Sequence, residues 1–238
     1  MKLKPWHKVD CFAPRENIRE GRGLDAAEFA VHLDQVRKGT ATPHYSDPQR
    51  FFERTYLTRS LTEFSVAIVR RLSGVTAETN AIFNTVTQFG GGKTHALTLS
   101  YHLAKNGPAA NPWPGVDQIL RDAGLESVPK AETAIFVGTE FDSLQGRGGE
   151  DGTPLRKTPW GEIAYQLGGE ESFRVVADHD AEFVEPKGDV IRAMLPNKPC
   201  LILMDEILSY VSSYRRWGYH DRFYNFLQSL TETVRGRD

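Results

Sequence analysis

The residues best equipped for chemistry are Gln88-Phe89-Gly90-Gly91-Gly92-Lys93-Thr94, followed by His95. A phosphate chain is held by several backbone N–H donors converging on it. Glycines permit both the unusual backbone angles and the close approach this requires. A helix starting at this point would turn its positive N-terminal end toward the same anion. Lys93 would then reach the β- and γ-phosphates, and the Thr94 hydroxyl would ligate Mg²⁺. The run fits the Walker A pattern except at its first fixed position, where Thr87 replaces glycine. That position mainly lets the loop turn. The plain alternative is a glycine-rich strand–helix turn that merely contains Lys-Thr, but the flanking sequence fits the phosphate cradle on both sides. His95 is grouped with the cradle and read as supporting it.

A second signal is Leu201-Ile202-Leu203-Met204-Asp205-Glu206, a Walker B pattern. Four apolar residues would bury a strand, and Asp205 would emerge at its C-terminal end, where open α/β sheets bind ligands. Asp205 would hold Mg²⁺ through water, and Glu206 would polarise the attacking water as a general base. Buried strands often end in acidic residues, so this motif carries weight only beside the first. Asp205 lies 112 positions after Lys93, farther than a minimal P-loop core needs. The interval 143–195 therefore reads as an insertion.

Other candidates are weaker. Thr139, Glu140 and Asp142 follow a second strand and would face the same edge as the P-loop, where an ordinary loop start is the simpler reading. Asp178-His179-Asp180 lacks further ligands at metal-binding spacing. Trp160, beside Arg156 and Lys157, suits core packing better than stacking on a base. Arg215 and Arg216 could act on a neighbouring subunit or sit in a solvated turn.

These residues need elements to position them. Asp25, with Glu28 three positions on, can cap a helix carrying Ala26, Phe29, Leu33 and Val36, with Gly39 as its stop. Asp47-Pro48 is another helix start, with apolar surface from Phe51, Phe52 and Tyr56. Ser60 with Glu63 opens a third, striped by Leu61, Phe64, Ile68 and Leu72 and ended by Gly74. Ala81–Val86 reads as the strand that enters the glycine loop. Helices are expected over 94–105 and 116–123, and a strand over 133–137. The stretch 143–158 is glycine-rich and charged, which reads as a mobile surface loop. Thr158-Pro159 starts a helix stopped by Gly168-Gly169. Residues 200–204 form a strand apolar on both faces, as parallel strands between helix layers are. Closing helices carry Phe223, Phe226, Leu227, Leu230 and Val234. The expected class is α/β, a parallel sheet between helices. A helical segment over 1–78 precedes a P-loop NTPase core over 79–238.

Composition narrows the function classes. The 29 Lys and Arg residues against 31 Asp and Glu give a net charge of −2. This removes the basic excess of a dedicated nucleic-acid binder but not a local patch. No apolar run approaches the ~18 residues of a membrane span, and the N-terminus has no signal-peptide core. Cys11 and Cys200 can form neither a disulfide framework nor a four-ligand zinc site. The expected compartment is the cytoplasm.

Several stretches together resemble a known family. They are Pro5–Val9, Glu28–Val36, Phe51–Thr58, Gln88–Leu97, Trp160–Ala164, Gln166–Gly169 and Leu201–Glu206. The chain resembles the N-terminal part of a prokaryotic family of large predicted AAA+-type ATPases, catalogued as a domain of unknown function. The resemblance implies a multi-domain ATPase, often encoded near DNA methyltransferase and helicase genes in phage-defence islands. It maps the family's P-loop onto Gln88–Thr94 and its Walker B onto Asp205 and Glu206. The implied cofactors are ATP and Mg²⁺. The implied partners are an oligomer or larger assembly, with DNA or DNA-modification proteins. An AAA+-type site also uses a polar sensor on a strand after Walker B, an arginine finger and a lid. Beyond Glu206 this chain is helix-like up to Arg235-Gly236-Arg237-Asp238. It is therefore expected to be the N-terminal portion of a longer protein, with an incomplete core and no turnover by itself. Two other readings stay open: a nucleotide-gated switch with little hydrolysis, and a P-loop kinase acting on a small molecule.

Overall fold

The computed structural model describes residues 31–85 and 92–236, with Arg19 and Gly21. The chain divides into Met1–Val31 and His32–Asp238, and the second unit is described below. Residue 78, the expected domain boundary, lies inside that unit.

Helix α1 (Leu33–Lys38) ends on Gly39 in the left-handed conformation, φ 71°. The expected stop is therefore present, while Asp25–Phe29 fall outside the described residues. The short α2 (Pro43–Ser46) leads into α3 (Pro48–Glu53), where the Asp47 carboxylate accepts from the Arg50 N–H at 3.1 Å. That cap plus Pro48 at the first helical position is the start the sequence signals. Helix α4 (Arg59–Leu72) begins earlier than expected: Thr58, not Ser60, is the cap and accepts from the Leu61 N–H. Glu63 pairs with Arg59 instead of closing a capping box. Helices α5 (Lys93–Asn106) and α6 (Val116–Ala123) follow, then strand β1 (Glu132–Val137). Helix α7 (Pro159–Ala181) is capped by Thr158 and broken at Gly168 and Gly169. The expected stop at Gly168-Gly169 is present: both residues leave helical geometry, and a second helical stretch begins beyond them. Helix α8 (Gly188–Met194), strand β2 (Cys200–Asp205), α9 (Ile207–Ser213) and α10 (Tyr219–Arg235) complete the unit.

The two strands pair in parallel, Glu132 opposite Cys200 through Val137 opposite Asp205. The result is a helix-rich α/β unit with a small sheet between helical layers. Ala134 and Phe136 pack with Trp160, Ile163, Val176, Ile191, Phe223 and Phe226 on one face, joined by Ile202 and Met204. On the other side Leu201 packs with Ile68, Leu72, Ala104 and Ala131. Phe51, Phe52 and Val69 share a core with Leu99, Leu103, Trp113 and Ile119. The early helices therefore support the helix that begins at Lys93. Trp160 is buried against Phe226, which makes it a core residue.

Two expectations need correcting. Ala81–Thr85 is not a strand, and Val86 lies outside the described residues. A strand needs a paired neighbour, and among the described residues no strand runs beside this segment. It is instead held by Phe83, which meets Phe64 edge-on at 5.6 Å. The stretch 143–158 is not a loose surface loop. Arg147 and Arg156 pair through their backbones, and their guanidinium groups enter a buried cluster. Arg147 binds both Asp34 oxygens and Glu162, and Arg156 binds Glu162 at 2.9 Å. Charges that read as solvated are the anchors of this stretch. Arg37 and Lys38 add to the field at Asp34. Burial opposes ionisation of Asp34, but Lys38, Arg147 and Arg37 together hold its carboxyl below the usual range. Among the described residues, no helix is long and apolar enough to cross a membrane.

Candidate functional site

The site forms where two elements far apart in sequence end side by side. Strand β2 delivers Asp205 to its C-terminal tip, buried. Helix α5 begins at Lys93, after Gly92 in the left-handed conformation at φ 75°. Its N-cap is a glycine with no side chain to cap the helix, and the positive end of the helix dipole lies at this turn. The Thr94 hydroxyl donates to Asp205 Oδ2 at 2.7 Å. The other oxygen, Oδ1, accepts from the Glu206 N–H at 3.0 Å. One contact thus joins the last residue of the glycine motif to the acidic end of the apolar strand.

Glu206 is exposed and adopts φ 50°, ψ 36°. The left-handed region costs a non-glycine residue on the order of 1 kcal/mol. Here it turns the chain from β2 into α9, whose Ser209 N–H donates to the Glu206 carbonyl at 3.0 Å.

The expected site residues sort into three groups. Thr94, Asp205 and Glu206 come together, with Gly92 and Lys93 in the adjoining turn. Gln88, Phe89, Gly90 and Gly91 lie outside the described residues. His95 points elsewhere. The Thr55 hydroxyl donates to the Phe51 carbonyl, so it accepts from His95 Nε2–H at 3.0 Å. The His95 ring also packs on Phe51 at 4.6 Å. Burial lowers the His95 pKa, which keeps the ring neutral. The His95 ring therefore ties the start of α5 to α3, on the Thr55 and Phe51 side.

Residues beyond β1 divide likewise. Thr139 and Glu140 are exposed at the same sheet end. Asp142 is a turn anchor: it accepts from the Leu144 and Gln145 N–H groups and from the Tyr214 hydroxyl. The backbone bonds lead in holding its pKa down, with burial opposing. Asp180 of the Asp-His-Asp run accepts from the Lys157 and Thr158 N–H groups, so the far end of α7 holds the chain that enters it. Among the described residues no three His, Cys, Asp or Glu side chains group as metal ligands. Arg215 and Arg216 are exposed in a 3-10 turn.

The profile of the DUF499 N-terminal domain matches residues 8–123 and 148–237. The chain belongs to the DUF499 N-terminal domain family. Both halves of the site, Lys93-Thr94 and Asp205-Glu206, fall inside the matched intervals. Strand β1 falls between them. No curated protein and no solved structure matches the chain.

Sequence reasoning passed over two residues. Gly138, one position past β1, lies against the Glu206 carbonyl. A glycine directly after a strand that ends at the ligand edge is a sign of close backbone approach. Gln166 was noticed only within a similar stretch. Its pairing with β1 has no local signature.

Proposed function

We propose that this unit binds Mg-ATP and hydrolyses it as a P-loop module of AAA+ type within a larger protein. One observation carries the reading: the 2.7 Å bond between Thr94 and Asp205, which brings the ends of both motifs to one point. A helix start at Lys93 behind the left-handed Gly92 and an exposed Glu206 next to Asp205 in the chain add support.

The donor set suits magnesium. Mg²⁺ prefers one or two carboxylates completed by water and substrate phosphates over an all-protein cage. Thr94 and Asp205 would hold it, and when bound it would neutralise charge on the β- and γ-phosphates. The first turn of α5 would accept the phosphate chain, and Lys93 would neutralise its outer end. Glu206 would orient a water and take its proton. Positioning and charge stabilisation dominate phosphoryl transfer, so each group counts. The AAA+ assignment, the use of ATP and a DNA-directed role in phage defence rest on the family resemblance.

The test is Mg-ATP binding and phosphate release by the full-length protein and by Lys93→Ala and Glu206→Gln. Lys93→Ala is expected to abolish binding. Glu206→Gln is expected to bind normally and release phosphate at least about a hundredfold more slowly. Equal binding by Lys93→Ala would remove the P-loop assignment. Normal binding by the wild type, with no phosphate release, would favour the nucleotide-gated switch.

A further inference from the structure

The turn that carries Glu206 is built around a glycine from the other strand. Gly138 is buried, and its N–H donates to the Asp205 carbonyl at 2.9 Å. A Cβ at residue 138 would overlap the Glu206 carbonyl oxygen and stand 3.0 Å from both its carbonyl carbon and Tyr210 Cβ. The nearest of these is a backbone atom and cannot rotate aside. Nor is that peptide loose. Its carbonyl accepts from the Ser209 N–H in the first turn of α9, and the Tyr210 hydroxyl is hydrogen-bonded to Ser143 in the buried interior. Glu206 holds a left-handed conformation only because these contacts enclose it.

We infer that Gly138 is a positioning residue for Glu206. Having no side chain, it lets the end of β1 close onto the 206–207 peptide and so fixes the backbone from which the Glu206 side chain leaves, next to Asp205. This rests on the reading of Glu206 as the group that orients water. A methyl at 138 displaces that peptide by about 1 Å, and a shift of that size costs roughly a hundredfold in rate. Thr94 holds the Asp205 carboxylate from the opposite side, so nucleotide binding survives.

The experiment compares Gly138→Ala with wild type in the full-length protein. It reads kcat for phosphate release, the Kd for Mg-ATP and the thermal midpoint. The expected result is kcat down roughly a hundredfold with Kd unchanged within about threefold. Unchanged kcat in folded Gly138→Ala overturns the inference. So does a loss of binding that parallels the loss of kcat. If Gly138→Ala does not fold, Ser209→Pro decides. It removes the other hold on the Glu206 carbonyl, from the first turn of α9, where no i→i−4 helical bond is lost. It is expected to lower kcat and spare Kd, and normal kcat there overturns the inference. Glu206→Gln separates the two failures. If it turns over like wild type, the reading of Glu206 fails. If it is inactive while Gly138→Ala is fully active, only the positioning role fails.

Discussion

The two outer edges of the small sheet are finished in opposite ways. On β1, the outward N–H and C=O of Ile135 are both taken by one side chain. The Ile135 N–H donates to Gln166 Oε1, and Gln166 Nε2 donates back to the Ile135 carbonyl, each at 2.9 Å. A primary amide carries a donor and an acceptor spaced as in a peptide, so Gln166 stands in for a third strand. On β2, Pro199 and Asp205 send their carbonyls toward β1. In a parallel ladder this turns the N–H and C=O of Ile202 and Met204 to the opposite side. Among the described residues no backbone hydrogen bond meets them there, and both side chains are only half-buried. The edge away from the nucleotide motif is closed by the chain itself. Among the described residues the edge on the Asp205 strand keeps its pairing groups open, and the proposed AAA+-type reading would place a further strand there.

The largest expected effect tests what anchors the closed edge. Glu162 accepts from Gln166, Arg147 and Arg156. Glu162→Leu would leave the buried Arg156 guanidinium without its carboxylate, take from Arg147 one of its two carboxylate partners and untether the Gln166 amide. A loss on the order of 4 kcal/mol is expected in denaturant unfolding. A loss under about 1 kcal/mol would show that the arginines find water instead, and the anchoring account would fall.

Next comes a pH effect located away from both edges. His102 is buried, and its Nε2–H donates to the Tyr45 carbonyl at 2.8 Å. Burial lowers its pKa to about 4, against the opposing influence of Tyr45 and Asp47. The unfolded chain therefore binds the proton first, near the ordinary histidine value of about 6.5. Stability is flat above that value and falls as pH drops from it toward 4, by about 2 kcal/mol between pH 7 and pH 5. His95 is shifted in the same direction. His102→Gln should flatten this slope and leave the cost of Glu162→Leu unchanged. Coupling between the two would mean that the helical layer and the sheet edge are not independent.

A smaller effect compares the edges directly. Gln166→Leu leaves two buried backbone groups on Ile135 unpaired, for a loss of about 2 kcal/mol. Met204→Leu on the open edge keeps its volume and should cost less than about 1.5 kcal/mol. Equal losses would erase the distinction. The gentlest probe changes no residue: in hydrogen exchange, the Ile202 and Met204 amides should exchange before that of Ile135. Protection of Ile202 and Met204 in the full-length protein would locate a strand on that edge.

Much of the local structure was legible in the sequence. Asp47-Pro48 and Thr158-Pro159 start helices because a capping side chain and a preset φ act within one turn. Residues 116–123 and 200–204 were read correctly because apolar periodicity reports burial directly. The motifs also specify which end of a strand or helix Lys93-Thr94 and Asp205-Glu206 occupy, and the Thr94–Asp205 bond joins those ends. The misreadings share a cause. Ala81–Thr85 has strand-forming residues, yet a strand requires a neighbour that no local rule supplies. Arg147 and Arg156 resemble loop charges because Asp34 and Glu162, their partners, are distant in sequence or hidden on a helix.

By itself, the sequence determined the helix starts, the apolar strands and the two short runs whose side chains suit a nucleotide. Those properties depend on residue type and on spacings of a few positions. Only the tertiary structure decided that Gln166 closes one sheet edge while, among the described residues, the Asp205 strand stays open, and that Gly138 lies against Glu206. It also decided that His95 faces Thr55 and that a buried ion cluster clamps the glycine-rich stretch. Each of these depends on distances between parts of the chain that meet only after folding.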